Sequence, residues 1–378
     1  MNAMLSHLRV IEYADDLGAY AGRLLAELGA EVIKLEPPGG DPARRIGPLP
    51  RTGPQDAGLP WLAWNAGKRS VELDLASSEA AALIAGGDMF IVGSDRAAAP
   101  AYDVLAARNP QLIEVCVAAH VGPRAGRLAN DLTLMAESGI MTIVGDPDRP
   151  PLKLPGAQAY ALAGIQAAIG ALMALHARRA TGKGRVVTVS AYQSAVLANY
   201  REPVVWDWEQ RVGRRTGNKL VRGRSGVRQV WPCADGFVTW SLVDNPGMVR
   251  ALVGLMQAEG LAAELAGVDW DNTLLANEPQ ESIERWEAMI EPFFLRHSRA
   301  ELARMSNEKG LGLSQIDAPK DVRASEQERA RAFWRRIDDQ ARGLAYSLPG
   351  PLFLSSLGFD GTARPAPLLG EANAEFAR

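Results

Sequence analysis

The chain has 378 residues, of which 47% are hydrophobic and 22% are charged. At roughly 150 residues per domain, this composition predicts a globular protein with two or three core-forming units. The formal net charge is -3, so no basic excess favours a nucleic-acid binder. The longest apolar stretch, residues 162–177, is shorter than the roughly 20 residues that span a bilayer, and we expect a buried helix there.

Targeting and metal-binding signals are also missing from the sequence. The N-terminus has no basic segment followed by an apolar core, and the two cysteines, Cys116 and Cys233, cannot form a disulfide framework or a thiolate metal site. We therefore expect a cytoplasmic protein that contains no metal and does not bind membranes.

The first 36 residues have the pattern of a β-α-β unit. Residues 8–11 and 32–35 are short apolar segments, and an amphipathic stretch over residues 20–28 lies between them. Further strand-like runs at residues 70–75, 89–92, 112–118 and 186–190 alternate with helical stretches, the longest over residues 157–179. Such alternation predicts an α/β fold with a parallel sheet, because each crossover helix returns the chain to the same end of the sheet.

The composition changes near the middle of the chain. Residues 201–224 are rich in Trp, Arg and Gly and show little periodicity, whereas the following region again reads as strands and amphipathic helices. We predict a large domain whose N-terminal part is residues 1–200, a linker over residues 201–226, and a smaller α/β domain over residues 227–320. Residues 321–378 are predicted to return to the large domain.

Most common cofactor motifs are absent. The turn after the first strand lacks the glycine fingerprint that lets a backbone approach a pyrophosphate, and no Walker motif or serine-hydrolase elbow occurs. Lys68 and Arg69, which follow Gly67, could bind a phosphate-bearing ligand. The same pair could equally be a solvated surface, and the residues alone leave that choice open.

Several ordered motifs together resemble class III CoA-transferases, the family of formyl-CoA transferase, carnitine CoA-transferase and α-methylacyl-CoA racemase. The motifs are GAYAGRLL leading into LGAEVIKLEPPGGDP, NAGKRS with Leu73-Asp74-Leu75, the run through Arg178 and TGKG, ADG at residues 234–236, and PLLGE at residues 367–371. The resemblance implies a Rossmann-like large domain built from both chain ends, an inserted small domain, and two subunits joined as interlocked rings.

The resemblance also implies covalent chemistry that this chain lacks the residue to perform. In the family an Asp attacks the CoA thioester and carries the acyl group as a mixed anhydride. The matching position here is Tyr160, and a phenol cannot form that anhydride. Asp131 and Glu137 are candidate replacements. The two-base scheme of the racemase branch is disfavoured because its His and Asp positions read Asn130 and Tyr160.

Coenzyme A, as the acyl-CoA substrate, is expected at three segments that match the CoA-contacting parts of the family. Further departures from the family pattern are the turn Val92-Gly93-Ser94, Pro37 in place of a cation, and Leu128 in place of a lysine. The expected CoA-binding residues are Asp16, Leu17, Ala66, Gly67, Lys68, Arg69, Leu128, Ala129, Asn130 and Asp131.

Two main hypotheses follow. In the first, the chain is the Asp-less subunit of a heteromeric CoA-transferase, similar to the two-subunit benzylsuccinate CoA-transferases, and pairs with an Asp-bearing paralogue. In the second, it is a self-sufficient homodimer that moves CoA between an acyl-CoA and a carboxylic acid with Asp131, Glu137 or Tyr160. An acyl-CoA isomerase or racemase that uses another catalytic group is a third alternative.

Overall fold

The protein is described by a computed structural model that covers residues 4–51, 53–54, 56–93, 96–350, 352–356 and 364–376. The chain divides into two compact units. Unit 1 comprises Met1–Thr142, Lys153–Val212 and Glu326–Arg378, and unit 2 comprises Ile143–Leu152 and Gly213–Ser325.

Unit 1 is a layered α/β structure. Its elements up to residue 212 are β1 (Arg9–Tyr13), α1 (Asp16–Glu27), β2 (Glu31–Glu36), α2 (Leu59–Trp64), β3 (Arg69–Glu72), α3 (Ser78–Ala85), β4 (Met89–Val92), α4 (Tyr102–Arg108), β5 (Ile113–Ala118), α5 (Asp131–Glu137), α6 (Gln158–Thr181), β6 (Val186–Ser190), α7 (Ala191–Ala198) and α8 (Arg201–Glu209).

The strands β1 to β6 form one parallel sheet in the order β3-β2-β1-β4-β5-β6. Buried β-branched and apolar residues such as Ile11, Ile33 and Val71 fill the strands, as expected for a sheet with helices on both faces. The order reverses between β1 and β4, and ligands of such sheets bind outside the carboxyl ends of the strands at this switch point. The predicted α/β class is confirmed, while interlocking of two subunits stays a prediction.

Local sequence explains the β1–α1 and α6–β6 connections. Asp15 is the N-cap of α1, and its Oδ1 accepts the backbone N–H of Leu17 at 3.2 Å. The helix α6 ends at Thr181, and its C-cap Gly182 has φ 66°, a left-handed conformation that glycine adopts without steric penalty. By length and composition alone α6 could cross a membrane, but it packs against α1 and the sheet as a core helix of unit 1.

The elements of unit 2 come next in the chain, and the C-terminal elements of unit 1 follow them. The elements of unit 2 are β7 (Lys219–Arg222), β8 (Ser225–Arg228), β9 (Val230–Cys233), β10 (Gly236–Thr239), α9 (Pro246–Ala258), α10 (Gln280–Arg296), α11 (Arg299–Lys309), β11 (Ser314–Gln315) and α12 (Pro319–Ala324), and those of unit 1 that follow are α13 (Glu326–Ala330), β12 (Trp334–Asp339), β13 (Leu344–Pro349) and α14 (Asn373–Phe376).

Unit 2 has its own hydrophobic core. Strands β9, β10 and β11 form an antiparallel sheet, against which α10 packs. Trp231, Trp240 and Phe294 meet there with ring centroids 5.2–6.2 Å apart, and the indole N–H of Trp231 donates to the carbonyl of Trp240 at 2.7 Å. These tryptophans therefore form packed core, as buried aromatic residues with a satisfied polar tip commonly do.

Two regions differ from the sequence-based expectation. Residues 201–209, which lie in the predicted linker and show little periodicity, form α8, and residues 334–349, for which the sequence analysis named no strands, form the β12–β13 hairpin. Hydrophobic periodicity did not predict α8, because none of its residues is buried and no apolar stripe marks the helix. The C-terminal segment packs on β3, where Ala372 donates its backbone N–H to the carbonyl of Ser70 at 2.9 Å.

Candidate active site

A cleft of about 380 Å³ opens in unit 1 at the carboxyl ends of β1 and β2. Its wall contains the turn after β1 (residues 14–17), parts of the loop after β2 (residues 37–46), and Tyr160 near the start of α6. The cleft therefore lies at the β1 side of the topological switch point, the expected location of a ligand site in this type of sheet. Two glycines allow the elements that form the cleft wall to approach each other closely.

Gly93, directly after β4, is one such glycine. A Cβ atom at Gly93 would lie 2.8 Å from Oδ1 of Asp15, so a larger residue would displace the turn that follows β1. Gly164, one turn after Tyr160, is the second: its added Cβ would lie 2.8 Å from Cβ of Tyr20. The contact of α1 with α6, and with it the position of Tyr160, thus depends on Gly164. Ser94 of the predicted turn lies outside the described residues.

Tyr160 is half-buried at the cleft wall. Burial raises the pKa of its phenol, and the neighbouring carboxylates of Asp15, Asp131 and Asp16 raise this pKa further. The phenol therefore stays protonated at physiological pH and offers the cleft a hydrogen-bond donor. It is a poor nucleophile in this environment.

Asp131 is not placed as a replacement nucleophile. Its Oδ1 accepts the backbone N–H of Ala159 at 2.8 Å, and its Oδ2 lies 2.7 Å from Nζ of Lys153. Asp131 is buried and is not among the residues that line the cleft. Its Oδ1 thus holds the start of α6 in place and its Oδ2 is paired with Lys153, so both oxygens have structural partners.

Glu137, the other candidate nucleophile, is engaged by cations outside the cleft. Its Oε2 lies 2.8 Å from Nε2 of His120, and its Oε1 lies 3.0 Å from Nη2 of Arg127. The hydrogen bond with His120, followed by the charges of Arg127 and His120, lowers the pKa of Glu137. The structure therefore does not bring Glu137 to Tyr160 as a catalytic carboxylate.

Lys68 does not fit the predicted role of phosphate ligand. Its buried ammonium group donates to Oε1 of Glu12, to the carbonyl of Ala19 and to Oδ1 of Asn65, each at 2.8 Å. These three bonds use all the donors of an ammonium group. Burial lowers the pKa of Lys68 to about 8 despite the opposing charge of Glu12. Sequence alone could not show this, because Glu12 lies on β1, far away in the chain.

The neighbours of Lys68 are similarly engaged. Ala66 and Gly67 are buried, and the N–H of Gly67 donates to the carbonyl of Pro365 at 3.2 Å. Arg69 is partly exposed and pairs with Glu31 at 3.2 Å and with Glu375 at 3.0 Å. This segment therefore holds β3 against the C-terminal segment, and Arg69 retains only partial access to solvent.

The remaining predicted CoA-binding residues lie in two places. Asp16 and Leu17 line the cleft, whereas Leu128, Ala129 and Asn130 belong to the segment before α5. Leu128 is 97% exposed, and Asn130 forms a capping box with Thr133 at the start of α5. An exposed segment beside a capped helix is accessible to the arm of a large ligand, so CoA binding there stays a prediction.

Asp15 and Asp41 are cleft residues that the sequence did not single out. Both affect Asp16. Burial, with the charges of Asp41 and then Asp15 adding to its effect, raises the pKa of Asp16 from 3.8 to about 6. Lys34 is buried, and its Nζ lies 3.0 Å from Oδ2 of Asp41. The proximity of Asp15 to Asp16 in the chain was the available signal.

A second depression, of about 640 Å³, occurs in unit 2 and is lined by Asn218, Gln229, Trp240 and neighbouring residues. None of its lining residues carries a titratable side chain, and Asn218 bonds to the backbone of Val230. Among the described residues, no group of three or more His, Cys, Asp or Glu is placed to hold a metal ion. The cleft of unit 1, unlike this depression, is lined by ionisable side chains.

Comparison with known proteins matches residues 5–373 to CoA-transferase family III. A curated relative, the succinyl-CoA:(R)-benzylsuccinate CoA-transferase subunit BbsE of Thauera aromatica, is 30% identical over 100% of this chain and 94% of its own length. The alpha subunit of succinyl-CoA–L-malate CoA-transferase of Chloroflexus aurantiacus is 36% identical over 50% of this chain and 47% of its own length.

A solved structure has the same fold. The CAIB/BAIF family protein from Brucella suis superposes with a TM-score of 0.83 at 28% identity, over 99% of this chain and 98% of that one. The comparisons thus agree along the whole chain in sequence and in fold.

Proposed function

The chain belongs to CoA-transferase family III, and from this membership we propose that it is the acyl-CoA-binding, Asp-less subunit of a cytoplasmic heteromeric CoA-transferase. In this assembly an Asp-bearing partner chain supplies the nucleophile that exchanges CoA between an acyl-CoA and a carboxylic acid. The chain contributes its own cleft and the surfaces that hold the partner in place.

The observation that carries the proposal is the environment of Tyr160. The resemblance puts the family nucleophile at this position, and the residue found there is a phenol whose pKa is raised above its ordinary value. Asp131 and Glu137, the two carboxylates that the sequence offered as replacements, are held by Lys153, His120 and Arg127. Neither of these two carboxylates therefore takes over the position of Tyr160.

Exposed apolar side chains of unit 1 support assembly with another chain. Ile165, Ile169 and Met173 recur every four residues on one face of α6, and Met173 is 68% exposed. Trp208 on α8 is 84% exposed. Large apolar residues grouped on helices mark protein interaction surfaces. The names of the relatives also include subunits of CoA-transferases, which favours a heteromer over a homodimer.

CoA itself fits the proposal at the accessible segments. The cleft receives the acyl end, and residues 128–130 are free to contact the pantetheine arm. Arg69, rather than Lys68, is the cation of the NAGKRS motif with solvent access. Thioester chemistry is supplied by the substrate and the partner's carboxylate; the neutral phenol of Tyr160 donates a hydrogen bond to a polar atom of the bound acyl group.

The test is an exchange assay with isotopically labelled carboxylic acids and their CoA thioesters. The isolated chain is expected to bind acyl-CoA without transferring CoA, and the complex with its partner is expected to transfer it. Tyr160→Phe in this chain is expected to leave the rate of the complex within about tenfold, because loss of one hydrogen bond changes binding by about 0.5–1.5 kcal/mol. CoA exchange by the isolated homodimer would instead support the self-sufficient alternative.

A further inference from the structure

The charge balance of the cleft is one-sided. Asp15, Asp16 and Asp41 line it, and no Lys, Arg or His is among its described lining residues. The buried Glu12 pairs with Lys34 and Lys68, neither of which lines the cleft. In the described part of the chain, no Lys, Arg or His is within ion-pair distance of Asp16.

The nearby cations are already committed to other partners. Nζ of Lys34 is 3.3 Å from Oε1 of Glu12 and 3.0 Å from Oδ2 of Asp41, and it also donates to the carbonyl of Ala14. Arg44 forms a bidentate pair with Glu36 at 2.6 and 2.7 Å. Lys34 and Arg44 are buried, and neither lines the cleft. A carboxylate entering the cleft would therefore meet no available cation from these groups.

The rest of the cleft wall is apolar or neutral. Leu17, Leu35, Pro37, Pro42 and Ile46 line it together with the ring of Tyr160. Its volume of about 380 Å³ is within the range of small-molecule pockets. Apolar surface of this kind gains free energy when a hydrocarbon group displaces water.

We propose that this cleft binds an uncharged, apolar acyl group of a CoA thioester and discriminates against an acyl group that ends in a free carboxylate, with Asp16 as a specificity-determining residue. The inference rests on the proposed function, because it assumes that the acyl end of CoA enters the cleft. It follows that a dicarboxylic acyl group exchanged by the assembly is held by the partner's cleft.

Repulsion between like charges is the physical basis of the discrimination. Two unit charges separated by 4 Å interact by about 1 kcal/mol in water and about 4 kcal/mol at a protein surface. A free carboxylate near Asp16 would lose at least about fivefold in affinity for that reason. Partial protonation of Asp16 below pH 6 would weaken the repulsion, since its pKa is raised to about 6.

The experiment compares two stable thioethers of equal length by calorimetry at pH 7.5. S-butyl-CoA ends in a methyl group, and S-(3-carboxypropyl)-CoA ends in a carboxylate; free CoA reports the shared contacts. The full chain, with its partner if the two purify together, should bind S-butyl-CoA at least about fivefold more tightly than S-(3-carboxypropyl)-CoA. Asp16→Asn should reduce that ratio at least threefold.

Asp103→Asn is the matched control, because Asp103 is an exposed carboxylate on α4 and does not line the cleft. This variant should leave the ratio unchanged. Equal affinities for the two thioethers, or the same ratio in Asp16→Asn as in Asp103→Asn, would overturn the inference while leaving CoA binding intact. If neither thioether nor CoA binds the wild-type chain, the proposed function itself fails and the inference fails with it.

Discussion

Asp131 accepts a hydrogen bond from the backbone N–H of Ala159, and the two atoms are 2.8 Å apart. Ala159 immediately precedes Tyr160, so this bond fixes the first turn of α6 where Tyr160 enters the cleft wall. Asp131, which the sequence suggested as a substitute nucleophile, therefore supports the backbone next to Tyr160.

Replacement of Asp131 tests this structural assignment. Asp131→Ala removes a helix-terminus acceptor and the ion pair with Lys153, and we expect it to lower the free energy of unfolding by about 2 kcal/mol. Urea denaturation measures the change. Asp103→Ala on the exposed face of α4 is the control, expected within about 0.5 kcal/mol of wild type. Unchanged stability with loss of CoA exchange would instead indicate a catalytic carboxylate.

Lys68 is predicted to act through stability. Lys68→Met leaves Glu12 without one of its two buried ammonium partners, and breaking a buried pair in this way costs about 3 kcal/mol. Arg69→Met breaks partly exposed pairs with Glu31 and Glu375 and should cost less than about 1 kcal/mol. Thermal or urea unfolding of both variants provides the comparison. A stable Lys68→Met chain with weakened CoA binding would restore Lys68 as a phosphate ligand.

Gly164 and Gly254 form a contrasting pair of helix glycines. An added Cβ at Gly164 would lie 2.8 Å from Cβ of Tyr20, whereas one at Gly254 on α9 meets nothing within 4 Å. We expect Gly164→Ala to destabilise the chain by about 1–3 kcal/mol through steric strain. Gly254→Ala should stabilise it by about 0.5–1 kcal/mol. Equal effects of the two substitutions on urea unfolding would contradict the close packing of α1 on α6.

The ionisation of Asp16 should appear in the dependence of stability on pH. Its pKa is raised from 3.8 to about 6 in the folded chain, so the folded state binds more protons than the unfolded state between these values. Stability from this group is present below about pH 4 and is lost as the pH rises through 6. Asp16→Asn should therefore stabilise the chain by about 1 kcal/mol at pH 7.5, allowing for the partial exposure of the carboxyl group, and by less at pH 5. A gain in stability of Asp16→Asn that does not depend on pH would refute the raised pKa of Asp16.

The sequence predicted those features that depend on short-range pattern. Strands β4 and β6 and the long helix α6 follow from apolar runs, Ala-rich periodicity and the glycine at residue 182. The contacts of Lys68 could not be foreseen, since Lys68 and Glu12 meet only when β3 and β1 join the same sheet. The role of Asp131 was hidden for the same reason, because Ala159 is 28 residues away. Tyr160 was identified by the resemblance alone, and its raised pKa required the buried environment of the cleft.

Native mass spectrometry of the protein, tagged and purified from its own host under mild conditions, tests the proposed function most directly. We expect a dimer that contains this chain and a second chain of similar mass. Addition of the second chain should confer CoA exchange that survives Tyr160→Phe in the first. A homodimer that exchanges CoA unaided would contradict the account and assign the chemistry to this chain.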